Sequence, residues 1–327
     1  MSTKVIIMFP YSGYEAKEPR EELFWSLVDC SRRETKNQPP IVVLNEDTER
    51  KGKAKAFLND GRISNVILQR CWAVDTCQMW LAGWGYVIDT YENKEDDRIV
   101  QIPGDIDKVS GTEEKSGVFF RHLREFINRT GPDIVIGDFA SEDMFSAKEL
   151  IDLYGTYALM ANWFPNVAQS CRRSLELNKL RSEFLNIKVE TLKKILIERK
   201  FAYEQTLNMI IRSWDFGRKQ ENKRDGGFWK YEITKIDLGI LKDDSRSRQY
   251  RDCLDQIERT ERMLKLLWRE INEVPEELLE TNPQEYEEKY QEYIDLYDHL
   301  DRRSTSIREN ARIIIRNILG LGPQAPV

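Results

Sequence analysis

Two carboxylates one residue apart, Asp105 and Asp107, close the stretch Asp96-Asp97-Arg98-Ile99-Val100-Gln101-Ile102-Pro103-Gly104-Asp105-Ile106-Asp107. Carboxylates that close repel one another unless a cation lies between them, and Mg2+ or Mn2+ bridging to a diphosphate is the usual reason to tolerate the arrangement. The competing reading is an exposed Asp-x-Asp turn in an acidic protein.

A strand has to deliver such a pair. The run Ile99 to Ile102, bounded by charge on one side and Pro-Gly on the other, reads as a buried strand. In open α/β sheets ligands bind outside the carboxyl ends of the strands, which is where Asp105 and Asp107 would then stand. Four other runs have the same character: Val5 to Phe9, Ile41 to Leu44, Val66 to Leu68 and Asp133 to Ile136. Helical spacing lies between them, over Glu21 to Cys30, Asp75 to Gly83 and Phe119 to Ile127. The alternation predicts an α/β fold, a mostly parallel sheet flanked by helices. Three of the strands finish in acidic residues, at Asn45-Glu46-Asp47, at Asp105 and at Gly137-Asp138, and these would share one edge of the sheet.

The composition limits the function. In 327 residues, 40% are apolar and 32% charged, with a net charge of -6, which argues against a nucleic-acid partner. No apolar run approaches the ~20 residues of a membrane span, and Lys4 to Phe9 is too short for the core of a signal peptide, so the expectation is a cytoplasmic protein. Five cysteines at irregular spacing fit reduced, buried thiols better than a disulfide framework or a zinc site.

The order of these elements resembles the nucleotide-sugar-binding core of the GT-A glycosyltransferases, and within them the family 2 polyprenyl-phosphate sugar synthase type. Phe9-Pro10-Tyr11-Ser12-Gly13-Tyr14-Glu15 is similar to the turn that ends the family's first strand. Leu44-Asn45-Glu46-Asp47 loosely matches its nucleoside-contacting acidic pair, and Gly104-Asp105-Ile106-Asp107 stands where its aspartate-x-aspartate motif follows the fourth strand. Asp133-Ile134-Val135-Ile136-Gly137-Asp138-Phe139 matches the next strand closely. Arg181 to Ile187 and Phe201 to Leu207 resemble two later segments, so the likeness covers roughly residues 4 to 245. It implies a donor site using Pro10, Tyr11, Glu15, Glu46, Asp47 and Asp105, with Mg2+ or Mn2+ on Asp105 and Asp107. The chain departs from the pattern at Gln69 to Asp75, where the family carries a glycine-rich, lysine-containing segment, and it lacks a late histidine beyond His299.

Transfer of a hexose from a nucleotide diphosphate sugar requires neutralisation of the leaving diphosphate and orientation or deprotonation of the acceptor hydroxyl. Lys179 and Arg181 are candidates for fixed positive charge near the phosphates, with a solvated Lys-x-Arg pair as the alternative. Glu183, Glu204 and Asp138 are candidates for the base. Glu204, embedded in Phe201-Ala202-Tyr203-Glu204-Gln205-Thr206-Leu207, would be partly desolvated and its pKa pushed upward; alternatively it complements a helix dipole. Trp163 and Trp214 are candidates to stack on an acceptor.

From about Ser245 the composition changes to helix formers and charge. Tyr250, Leu254, Ile257, Leu264, Trp268 and Ile271 form one apolar stripe, Val274-Pro275 breaks it, and Tyr286, Tyr290, Tyr293, Tyr297 and Leu300 form a second. Ile307 to Leu319 reads as a third helix. The domain expectation is therefore 1–244 for a nucleotide-sugar-binding catalytic domain and 245–327 for a helical extension, forming a bundle or a homo-oligomer contact. The functional expectation is a glycosyltransferase acting on a small or soluble hydroxyl acceptor. Its rivals are a sugar nucleotidyltransferase and a non-catalytic assembly protein acting through the helical tail.

Overall fold

In the computed structural model the described residues are 2–9, 18–45, 60–69, 76–92, 94–104, 108–109, 113–141, 147–197, 205–216, 228–242, 250–318 and 320. The strands are β1 (Thr3–Phe9), β2 (Ile41–Asn45), β3 (Asn65–Gln69), β4 (Arg98–Pro103), β5 (Lys108–Val109), β6 (Ile134–Ser141), β7 (Leu185–Lys188), β8 (Trp214–Asp215), β9 (Phe228–Trp229) and β10 (Ile233–Lys242). The first helices are α1 (Glu18–Glu34), α2 (Thr76–Thr90) and α3 (Glu113–Asn128). Then come α4 (Ala147–Leu150), a π-helical turn (Ile151–Thr156), α5 (Tyr157–Trp163), α6 (Pro165–Arg173), α7 (Val189–Ile197) and α8 (Gln205–Arg212). The last three are α9 (Tyr250–Asn272), α10 (Glu276–Thr281) and α11 (Pro283–Ile318).

Eight strands form one sheet in the order β3-β2-β1-β4-β7-β6-β10-β5. β1, β2, β3 and β4 are parallel neighbours, as are β6 and β10; β7 runs antiparallel between β4 and β6. This is the mostly parallel α/β sheet that the alternation predicts. Strands covered on both faces bury consecutive residues, hence the unbroken apolar runs; all six residues of β4 are buried. One face packs Val5, Ile7, Val42, Leu44, Val100, Ile102 and Val135 against Phe24 and Leu27 of α1 and Phe119, Leu123 and Phe126 of α3. Phe184 completes it, edge-on to Phe119 and Phe126 at centroid distances of 6.4 and 6.2 Å.

At the N-terminal edge of the sheet Arg98 is fully buried. Its Nε donates to Asn186 Oδ1 at 2.6 Å and its Nη1 to the Pro132 carbonyl at 2.8 Å, while Asn186 Nδ2 donates to the Phe126 carbonyl at 2.6 Å. Burial pulls this guanidinium down to about 10, against the opposing pull of Asp133 and Asp96.

The chain divides into two compact units, Met1–Asp143 with Leu175–Asp244, and Met144–Ser174 with Ser245–Val327. The helical unit thus combines an internal segment with the C-terminal helices. In it α9 and α11 lie antiparallel. Glu261, 2% exposed, accepts hydrogen bonds from Ser304 Oγ and Arg308 Nη1, both at 2.9 Å, and pairs with Lys265 at 2.9 Å. Gly155 in the π-helical turn lets α9 approach, since a Cβ there would lie 2.9 Å from Ile257 Cγ1. The break expected between a second and a third tail helix is absent: α11 runs unbroken from Pro283, which suits a first helical position, because no glycine or further proline interrupts it.

Candidate functional site

Polar side chains of the sheet unit converge at the C-terminal edge, where β4 and β6 end and β7 begins. Gly104 N donates to the Met8 carbonyl at 2.6 Å, so the chain leaves β4 beside the end of β1. Asp105 and Asp107 follow, and they lie outside the described residues.

Gly137 sets the spacing of the next strand pair. A Cβ there would fall 2.6 Å from Phe184 Cβ and 2.7 Å from Leu238 Cδ1, so only glycine lets β6 lie this close to the 178–184 segment. Ser182 Oγ donates to the Gly137 carbonyl at 2.5 Å, and Gly137 N donates to the Phe184 carbonyl at 3.1 Å. One residue on, Asp138 is fully buried. Its carboxylate accepts from Asn178 N at 2.9 and 3.0 Å, Asn178 Nδ2 at 2.9 Å, Lys179 N at 2.9 Å and Lys235 Nζ at 3.3 Å. A carboxylate so engaged holds a turn in place, so Asp138 is a positioning residue here, with its oxygens committed to protein donors rather than to an acceptor hydroxyl.

That turn carries the other candidates. Lys179 is buried, its Nζ 5.8 Å from the centroid of the Phe139 ring. Arg181 and Glu183 are half-buried. The Glu183 carbonyl accepts from Gln101 Nε2 at 2.7 Å, which ties it to the middle of β4. Thr206 Oγ1 donates to the Ser182 carbonyl, bringing the start of α8 to the same place. Asp138, Lys179, Arg181 and Glu183 are therefore gathered at one edge of the sheet. Glu204, Pro10, Tyr11, Glu15, Glu46 and Asp47 lie outside the described residues. Among the described residues no group of three or more His, Cys, Asp or Glu stands together as a metal site.

The two tryptophans stand elsewhere. Trp163 is 2% exposed inside the helical unit, donating from Nε1 to Ser304 Oγ at 3.1 Å and lying edge-on to Trp268 at 5.9 Å. Its aromatic surface is taken up by that core. Trp214 crosses Trp229 at 4.8 Å and 90° in the β8/β9 pair. That pair leads into β10 where Ile134 N donates to the Glu232 carbonyl, at the N-terminal end of β6 and opposite the end that carries Asp138. Sequence reasoning missed Gln101, Asn178 and Lys235. Gln101 was visible as the one polar residue inside an apolar strand; Lys235 sits in β10, which was not read as a strand.

No protein-family model matches the chain, and no curated protein matches it. Among solved structures it is similar to 4-diphosphocytidyl-2C-methyl-D-erythritol synthase from Anaerococcus prevotii, at 13% identity and a TM-score of 0.36, over 81% of this chain and 96% of that one. It is also similar to residues 1–349 of TarS from S. aureus, at 11% identity and a TM-score of 0.38, over 100% and 93% of the two chains.

Proposed function

We propose that the protein transfers a hexose from a nucleotide diphosphate sugar to a small or soluble hydroxyl acceptor. The observation that carries this reading is the gathering of Lys179, Arg181 and Glu183, on a turn pinned by Asp138, at the C-terminal edge of a mostly parallel sheet. Ligands of open α/β sheets bind at that edge, beyond the strand ends. Asp105 and Asp107 follow β4 in the sequence and would hold Mg2+ or Mn2+. When bound, such an ion stabilises charge developing on the leaving diphosphate. Lys179 and Arg181 add fixed positive charge beside it. Glu183, half-buried and tied through its carbonyl to Gln101, takes the acceptor proton, with Glu204 as the other candidate.

The test is thermal stabilisation by uridine, guanosine and adenosine diphosphate sugars, each with and without Mn2+ or Mg2+, on the parent protein and on the Asp105→Ala, Asp107→Ala variant. A ligand at a hundredfold excess over its Kd adds about 2.7 kcal/mol. A metal-dependent shift with one nucleotide class, lost in the variant, is the expected result. A shift with nucleoside triphosphates but with no diphosphate sugar would favour sugar nucleotidyl transfer instead. Once an acceptor is known, Glu183→Gln should lower turnover by about 10²–10⁴ with donor binding retained; unchanged turnover would pass the base role to Glu204.

A further inference from the structure

We propose that the first turns of α11, together with α10, form a docking surface for a basic helical segment of a partner protein. The antiparallel register fixes where α9 stops covering α11. Glu261 meets Ser304 and Arg308, Lys265 meets Asp301, and Trp268 stacks on Tyr293 at 5.3 Å. Asn272, the last residue of α9, therefore falls near the level of Tyr293. Pro283 to Glu292 extends beyond it, accompanied by α10, which has no buried residue.

This overhang keeps the character of a covered face. Tyr286 and Tyr290 stack at 5.8 Å and 9°, and Tyr290 continues to Tyr293 at 6.0 Å, so the aromatic row of the interior runs out past its cover. Tyr290 is 47% exposed and Leu279 on α10 is 48% exposed. Between Glu273 and Glu292 there are eight carboxylates and one cation, Lys289, which pairs with Glu285.

The covered part of the same face shows what chemistry suits it. There α9 presents Lys265 to Asp301 and, four residues on, Arg269 to the Tyr297 ring at 4.3 Å. A segment that continued this pattern along the overhang would carry Arg or Lys at four-residue spacing with apolar residues between, meeting tyrosine faces and carboxylates in turn. A second copy would bring the same acidic face and repel, and nucleic acid or anionic lipid has the wrong sign.

The test uses the full chain and a fluorescein-labelled helical peptide with Arg at every fourth position and Leu between, beside a counterpart with Glu replacing Arg. Fluorescence anisotropy should show binding of the basic peptide alone, weakening as salt is raised. Tyr290→Ala and Glu287→Lys should each weaken it about tenfold or more, with circular dichroism and melting unchanged at these exposed positions. Equal binding of the acidic peptide, or undiminished binding by folded variants, would overturn the proposal. So would a parent protein that sediments as a dimer and becomes monomeric in the charge-reversed variant, since a second copy would then occupy the face.

Discussion

A carboxylate with no exposed surface has to be compensated where it stands, and Asp138 is met by two backbone N–H groups, an amide and an ammonium. Asp138→Ala would strand those donors and is expected to cost about 3 kcal/mol. Urea denaturation measures this, and an unchanged midpoint would mean that the Asn178-Lys179 turn is held by other contacts. Two thiols give a second prediction at this scale. Burial pushes Cys171 up to about 12, and burial with the Glu34 charge pushes Cys30 up to about 11 despite Arg33 and Arg124. Neither should react with iodoacetamide near pH 8 until the protein is denatured; alkylation mapped by mass spectrometry checks it. At this scale the sequence revealed which residues were chemically suited and not what surrounded them. Asp138, placed at a strand end on pattern alone, was a candidate base until its five hydrogen bonds came into view. Trp163 and Trp214 have the composition of a sugar platform, but pattern could not show that each is spent on another aromatic ring.

Elements that alternate cleanly were legible. β1, β2, β4 and the first half of β6 contain buried, largely β-branched runs, β3 has the same composition, and periodicity finds such runs. β7 and β10 were harder. β7 is four residues long and leads straight into α7, and the polar alternation of Ile233 to Lys242 breaks at Gly239, whose φ of +90° accompanies a register shift against β6. The tail helices were visible as stripes, whereas the continuity of α11 depended on the absence of a stop signal. Two predictions belong here. Gly137→Ala would force apart β6 and the 178–184 segment at a cost of about 2 kcal/mol, read as a lowered melting temperature. Asp133 ties the foot of β6 to Lys188 at 2.9 Å and to Glu232 N at 2.9 Å. Burial raises its carboxyl, but those hydrogen bonds outweigh burial and hold it below its ordinary value of 3.8. Its stabilising contribution is therefore full above about pH 4 and lost as pH falls through the lower folded value. Asp133→Asn should destabilise the protein at pH 7, with the gap to the parent closing below pH 4; a gap that persisted there would assign the effect to packing.

For the whole molecule, the division into two units decides what can be cut. Leu159, Met160, Trp163 and Val167 are buried in the helical unit, and most of that unit lies after Ser245. Ending the chain at Asp244 would strip α9 and α11 from this apolar surface. Such a fragment should bind a hydrophobic dye and elute as aggregates in size-exclusion chromatography; a monodisperse fragment with the parent melting temperature would show that α4 to α6 need no cover. Among the described residues no helix is long and apolar enough to cross a membrane. The interrupted unit also imposes an order in time. Residues 144–174 leave the ribosome about seventy residues before their partner helices begin, a delay of several seconds at roughly 5–20 residues per second. Through that interval residues 144–174 present a half-made apolar surface that awaits its own partner helices. The time for which that surface goes uncovered is thus written into the order of the segments.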